Sequence, residues 1–260
     1  MSARTSGIGI IAHRGASSVA PENTMAAFIA AAELGATGIE FDVHQTIDNE
    51  LAVIHDFDVS RTSNGAGTVF ESTWADLAEL DAGSWFSDRF VGQPIPRLAD
   101  VLALPDLTFE LEIKGFGPGI ADRVVAAVDG AGVMDRVKFT GWNVLLLREI
   151  KRRRPDATVG LFSRTRETWM TDAMFEHTIV GTAATSGFDV AHVYAKDLTP
   201  AIGAGLRAAG LAAHGNDVGR EVPGDLLATA AEARDALNAG ASSLSGNDVA
   251  AMLAAIQELG

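Results

Sequence analysis

Two short stretches place charged side chains at alternate positions: "GIEFDVH" at 38–44 and "FELEIKG" at 109–115. Along a β-strand, successive side chains point to opposite faces. Glu40, Asp42 and His44 therefore share a face, opposite Ile39, Phe41 and Val43. Glu110, Glu112 and Lys114 likewise share a face, opposite Phe109, Leu111 and Ile113. On an antiparallel sheet such a face would simply meet water. In a covered sheet, carboxylates must be paired or bound to a cation. Glu40, Asp42 and Glu112 make a hard oxygen-donor set, which suits Mg²⁺ or Ca²⁺ better than Zn²⁺. The chain has no H-x-H or H-E-x-x-H pair to suggest zinc. Lys114 would stand at the same rim as a fixed positive charge, or as a plain ion pair to Glu110 or Glu112. A structural role accounts equally well for Glu110 and His44, because one strand rarely aims three residues at one reaction centre.

Two histidines end apolar runs. His13 closes Ile8–Ala12 and is followed at once by Arg14 and Gly15, within "IIAHRGASSVAPENT" (10–24). His55 closes the run in "LAVIHDFD" (51–58). A lone histidine at a strand end is usually structural, but two of them beside the carboxylate strand suit an acid/base pair working near neutral pH. His177, His192 and His214 lack that context, although His214 could line the same mouth.

These residues need elements to hold them. Strand-like runs cover Ile8–Ala12, Gly38–His44, Thr108–Ile113, Val137–Thr140, Thr158–Phe162, Val190–Tyr194, Leu211–His214 and Ala241–Leu244. Helical patterns separate most of them: Thr24–Leu34, Ala121–Asp129, Asn143–Arg153, Glu167–Phe175, Pro200–Ala209, Asp225–Ala239 and Asp248–Leu259. Asn23 or Thr24 and Asn247 suit N-caps, and Gly35, Gly130, Gly210 and Gly240 sit where helices should stop. Strand–helix alternation implies a parallel sheet covered by helices, and eight such units imply a closed α/β (β/α)₈ TIM barrel. A doubly wound open sheet is the alternative, but no Gly-rich phosphate fingerprint follows the first strand. Residues 45–97 break the rhythm. A hairpin turning at Asp48-Asn49 leads into a long Gly/Ser/Thr-rich stretch, too long for a plain connection. It reads as a functional insertion after the second strand, with Trp74, Trp85, Phe86 and Phe90 as its own small core. One domain over 1–260, carrying that insertion, is the simplest organisation.

Composition narrows the function. A formal charge of −14 argues against nucleic acid and requires local positive charge if the substrate is an anion. The absence of cysteine removes disulfide and thiolate chemistry. No apolar run approaches the ~20 residues of a membrane span, and "MSARTSGIGI" lacks the apolar core of a signal peptide. A cytoplasmic protein without stable membrane insertion is the expectation; its oligomeric state is not legible.

Taken in order, "HRG", "APENT", "EFDV", "VIHD", "RTSNGAGTV", "LDAGSWF", "IPRL" and "LEIK" resemble the glycerophosphodiester phosphodiesterase family over about residues 8–115. "KFTGWN" looks like that family's fourth strand. The family's tryptophan-containing seventh strand is replaced here by "LAAHGNDV", and its Thr-Asp ending of the eighth strand by "SSLSGND". The resemblance implies a barrel with a small insertion after the second strand, a divalent cation, and release of sn-glycerol 3-phosphate and an alcohol from a small glycerophosphodiester. Matched position by position, His13 and His55 fall on catalytic histidines, Glu40, Asp42 and Glu112 on metal ligands, and Arg14 and Lys114 on phosphate-contacting residues. Glu22 reads as a partner of His13 or Arg14. Two other outcomes share these residues: a phospholipase D-like lyase acting on lysolipids or sphingolipids, and an inactive phosphodiester-binding barrel. The retained insertion speaks against the first, and the intact set of histidines and carboxylates against the second. A structural protein, the remaining class, would show no dependence on metal.

Overall fold

A computed structural model describes residues 7–220 and 224–257. Its strands and helices, in chain order, are β1 (Gly9–His13), α1 (Met25–Leu34), β2 (Gly38–Gln45), β3 (Leu51–Val53), α2 (Trp74–Ala78), α3 (Leu98–Leu102), β4 (Thr108–Ile113), α4 (Ile120–Ala131), β5 (Val137–Gly141), α5 (Val144–Arg153), β6 (Thr158–Phe162), α6 (Asp172–Ser186), β7 (Val190–Tyr194), α7 (Pro200–Ala208), β8 (Ala212–Val218), α8 (Leu226–Ala239), β9 (Ser243–Gly246) and α9 (Val249–Gln257). All strand pairings are parallel except that of β3 with β2, and pairing of β1 with both β2 and β9 closes the ring. The fold is thus an eight-stranded parallel barrel wrapped by helices, and the open-sheet alternative is excluded.

The alternating strands explain why the ring closes this way round. Phe41 and Phe109 point outward and meet edge-on, with Phe28 of α1 against Phe41. All three are fully buried between sheet and helices. The opposite face must then turn inward, and Glu40, Asp42, Glu110 and Glu112 are all buried there. Register sets Glu40 beside Glu110 and Asp42 beside Glu112. The acids thus form two layers, with Asp42 and Glu112 nearer the strand C-termini.

Local chemistry sets most helix ends where the sequence puts them. Thr24 caps α1 and Asn143 caps α5, each accepting from a backbone N–H of the first turn. Some ends differ. α4 runs through Gly130 and stops at Gly132, which takes the left-handed conformation. α6 starts after its Thr171 cap and reaches Ser186, well beyond the expected Glu167–Phe175. The small Thr- and Ala-rich residues past Phe175 carry little amphipathic signal. Asp248, rather than Asn247, accepts from the first turn of α9. The end of that expected helix, at Leu259, lies outside the described residues. β8 runs Ala212–Val218, past the expected strand end at His214.

The hairpin is present: β3 pairs antiparallel with β2, and Asn49 occupies the turn at φ 69°. The insertion does have its own core, but an aliphatic one: Ala52, Ile54, Val59, Val69, Leu77, Ala82 and Ile95, with Trp74 packed against it. Phe86 instead meets Trp85 and Phe90 edge-on nearer the surface. Trp85 satisfies its indole N–H on the Ala82 carbonyl, which leaves its ring 40% exposed.

Candidate active site

The C-terminal ends of the strands open into a cavity of about 210 Å³ lined by His13, Arg14, Glu40, His55, Glu112, Lys114, Trp142, Phe162, Tyr194, Asn216, Asp217, Arg220 and Ser245. Six of the seven residues singled out from the sequence line it, and the seventh, Asp42, lies just beneath, in contact with Arg14 and Lys114.

β1 delivers His13 and Arg14, after which the chain turns sharply. Gly15 makes that turn at φ 81°, where an added Cβ would lie 2.7 Å from the Ala27 backbone. The Arg14 N–H donates to Glu40 Oε2 at 3.0 Å. Its guanidinium donates to Glu22 at 2.9 Å and lies 3.5 Å from Asp42. The expected Glu22–Arg14 pairing is therefore present, and Arg61 of the insertion joins it through two hydrogen bonds to Glu22. Asn23 grips Asp42 twice: its amide donates to Oδ2 at 2.8 Å, and its carbonyl accepts the Asp42 N–H at 3.2 Å. Arg14, Asn23 and Asp217 all hold the left-handed backbone, at φ 57°, 55° and 55°. That conformation is uncommon outside glycine and concentrates at functional sites.

Glu40, Asp42 and Glu112 each bring a carboxylate oxygen within 4.8 Å of the others. Glu40 Oε1 and Asp42 Oδ1 are buried without a hydrogen-bond donor. Buried oxygens in that state are costly, and a cation in their midst would satisfy them. Burial raises the Glu40 pKa well above the ordinary range, and the charges of Asp42 and Glu112 push the same way. Burial and Asp42 raise Glu112 too. Lys114 lies 2.8 Å from Glu112 and 3.5 Å from Asp42. Burial disfavours its charged form, but Asp42 and Glu112 outweigh that and raise its pKa. The donor set fits a hard divalent ion.

The two histidines differ in surroundings. His13 places Nδ1 2.8 Å from the Asn247 side-chain oxygen, with Nε2 3.9 Å from Glu40 and 3.7 Å from Asp217. Burial, then Arg14, lowers its pKa. His55 places Nδ1 2.5 Å from Asp56. His44 is structural: Nε2 sits 3.0 Å from the His55 carbonyl and the ring packs edge-on against Phe57.

A second buried group lies one layer deeper. Glu110, His192 and His214 could also hold an ion by geometry. Here, however, Lys138 ion-pairs with Glu110. Both His214 nitrogens face serine hydroxyls, Ser243 at 2.7 Å and Ser245 at 3.0 Å. Lys138 thus balances the Glu110 charge and the serines satisfy His214, while His192 Nε2 stays buried without a hydrogen-bond partner. His214 is therefore enclosed in the barrel rather than set on the mouth, and Glu110 belongs to this network.

Sequence reasoning missed Asp56, Arg61, Asp217, Asn247 and the aromatic wall of Trp142, Phe162 and Tyr194. Asp56 had a signal, being adjacent to His55. Asp217 and Asn247 fall in the two stretches that depart from the expected pattern.

Comparison with known proteins bears on this geometry. The model of the glycerophosphoryl diester phosphodiesterase family matches residues 13–215. The chain belongs to that family. A glycerophosphodiester phosphodiesterase from Caldanaerobacter subterraneus is 42% identical over 158 residues, 58% of this chain and 65% of the relative. The chain thus spans just under two thirds of that relative's length. Among solved structures, a glycerophosphodiester phosphodiesterase from Agrobacterium tumefaciens is 25% identical with a TM-score of 0.77, covering 95% of this chain and 99% of its own. A phosphodiesterase from Oleispira antarctica, solved in complex with the product sn-glycerol-3-phosphate, shares the fold at TM-score 0.77 and 22% identity over 96% of each chain. Among the described residues, no helix of this family member is long and apolar enough to cross a membrane.

Proposed function

We propose that this protein hydrolyses small glycerophosphodiesters to an alcohol and sn-glycerol 3-phosphate, using a divalent cation, Mg²⁺ or Ca²⁺, and the His13/His55 pair. One observation carries the reading: three buried carboxylates, two fixed cations and two imidazoles converge on a single cavity at the barrel mouth. Family membership supports it.

Glu40, Asp42 and Glu112 would hold the cation, which supplies charge neutralisation at a nonbridging phosphate oxygen. Arg14 and Lys114 add positive charge, and the planar guanidinium can donate two parallel hydrogen bonds to phosphate. One imidazole removes the proton from the attacking oxygen, either a neighbouring glycerol hydroxyl or water, while the other protonates the leaving alcohol. Burial, then Arg14, lowers the His13 pKa and favours its neutral form, which suits a base. Asn247, accepting from His13 Nδ1–H, would leave Nε2 free to take that proton.

Purified protein should release glycerol 3-phosphate from glycerophosphocholine or its ethanolamine, inositol or glycerol counterparts, and a chelator should stop it. No release from any of the four, with Mg²⁺ or Ca²⁺ present, would refute the proposal. Equal turnover with and without chelator would refute its metal. A lysolipid in the same panel separates hydrolysis of soluble diesters from a lyase acting on lipids.

A further inference from the structure

Acid/base work by His55 requires its ring to be held with one nitrogen toward the substrate, and we infer that Arg61, supplied by the insertion, is the positioning residue that does this. The inference rests on the function proposed above. Arg61 ends a single 3₁₀ turn, Val59–Arg61, whose Val59 is buried in the insertion's aliphatic core. The Asp58 side chain accepts from the Ser60 N–H at 2.8 Å, and Ser63 donates to the Val59 carbonyl at 2.7 Å. The backbone behind Arg61 is thus pinned from both sides.

The guanidinium uses all three of its nitrogens. Nε donates to Asp56 Oδ2 at 2.5 Å and Nη2 to Asp56 Oδ1 at 3.2 Å. Nη1 and Nη2 also donate to the two oxygens of Glu22, at 2.9 and 2.8 Å. Glu22 in turn accepts from Arg14 Nη1 at 2.9 Å, and Asp56 Oδ1 lies 2.5 Å from His55 Nδ1. An unbroken chain therefore runs Arg14–Glu22–Arg61–Asp56–His55 and joins the loop after β1 to the segment after β3.

Chemistry fixes the direction of the last link. Hydrogen bonding from Arg61 holds the Asp56 pKa well below the ordinary carboxylate range, so Asp56 is ionised and can only accept. The hydrogen on His55 Nδ1 must then point at Asp56. Nε2 is left as the nitrogen that exchanges a proton with substrate. Without Arg61, Asp56 loses both of its guanidinium donors and His55 loses its fixed orientation. Lysine cannot replace it, because a single ammonium cannot span two carboxylates as a fork does.

The test is steady-state kinetics on glycerophosphocholine with saturating Mg²⁺, alongside melting temperatures. Arg61→Ala should lower kcat about 10–100-fold and leave KM within twofold, and Arg61→Lys should recover little of that loss. In a His55→Ala background, removing Arg61 should cost far less than in the wild type, since the main part of its effect passes through a ring no longer present and only the Glu22–Arg14 link remains to be disturbed. Additive losses in the double variant would overturn the inference, as would a change confined to KM or full recovery with lysine. Should Arg61→Ala fail to fold, Arg61→Lys alone and paired with His55→Ala carries the same comparison. A wild type without phosphodiesterase activity removes both this inference and the function beneath it; additivity in an active enzyme removes only this one.

Discussion

Asp42 is a carboxylate shared by many partners. It receives the Asn23 amide, lies 3.5 Å from both Arg14 and Lys114, and has a lowered pKa despite burial that would raise it, because Lys114 and Arg14 dominate. Glu40, two residues earlier, is driven the opposite way, first by burial and then by the charges of Asp42 and Glu112. Both residues are buried; Asp42 escapes the rise because Lys114 and Arg14 outweigh its burial. At this scale the clearest expectation concerns the imidazoles. His13→Ala and His55→Ala should each lower kcat by about 10²–10⁴-fold with melting temperatures little changed, measured as glycerol 3-phosphate release. Turnover within tenfold of wild type in either variant would remove that histidine from the mechanism. The individual residues were the most legible part of the sequence. Alternation put Glu40, Asp42 and Glu112 on one face because period-2 patterning survives any detail of the fold. Asp217 and Asn247 were not legible, because their proximity to His13 depends on how β8 and β9 close the ring.

Among the elements, the turn after β1 and the layer beneath the mouth carry separate expectations. Gly15→Ala would set a methyl against the Ala27 backbone at a positive φ. The strain should cost about 1–3 kcal/mol in chemical denaturation and also displace His13 and Arg14, lowering activity. A variant of wild-type stability would contradict the close approach. Below the mouth, burial lowers the His192 pKa from 6.5 to about 4. Below pH 6.5 the unfolded chain takes up a proton that the folded chain refuses, so stability falls with falling pH. This contribution is complete near pH 4, absent above 6.5, and worth about 3 kcal/mol. In chelator-treated protein, His192→Gln should flatten the stability curve across that window; an unchanged slope would show that His192 is not buried neutral. Helix ends were legible where a cap residue marked them, as at Thr24 and Asn143. The start of α6 was missed because Thr171 is one of several polar residues in a segment without apolar period.

For the molecule as a whole, the barrel was foreshadowed by alternation of strands and helices, but ring closure is a long-range fact. It depends on β1 finding β9 more than 230 residues later, which no local pattern encodes. Pairing of β2 with β4 sets the three acids together inside the closed ring, so an ion held among them would couple its binding to folding. Mg²⁺ or Ca²⁺ at 100 times its dissociation constant should stabilise the chain by about 2.7 kcal/mol, seen as a rise in melting temperature. Glu40→Gln and Asp42→Asn should abolish that rise. A shift that persists in both variants would move the ion elsewhere, with Glu110, His192 and His214 the next place to look.

The left-handed backbone at Asp217 sets a trap for anyone breeding a hardier form of this protein. Glycine there would relax the main chain at no steric cost, so survivors of a heat challenge should be enriched in it. Those survivors would lack the carboxylate 3.7 Å from His13. A library sorted on endurance alone would gather sturdy chains with a blunted mouth, so selection at this position has to score turnover in the same round.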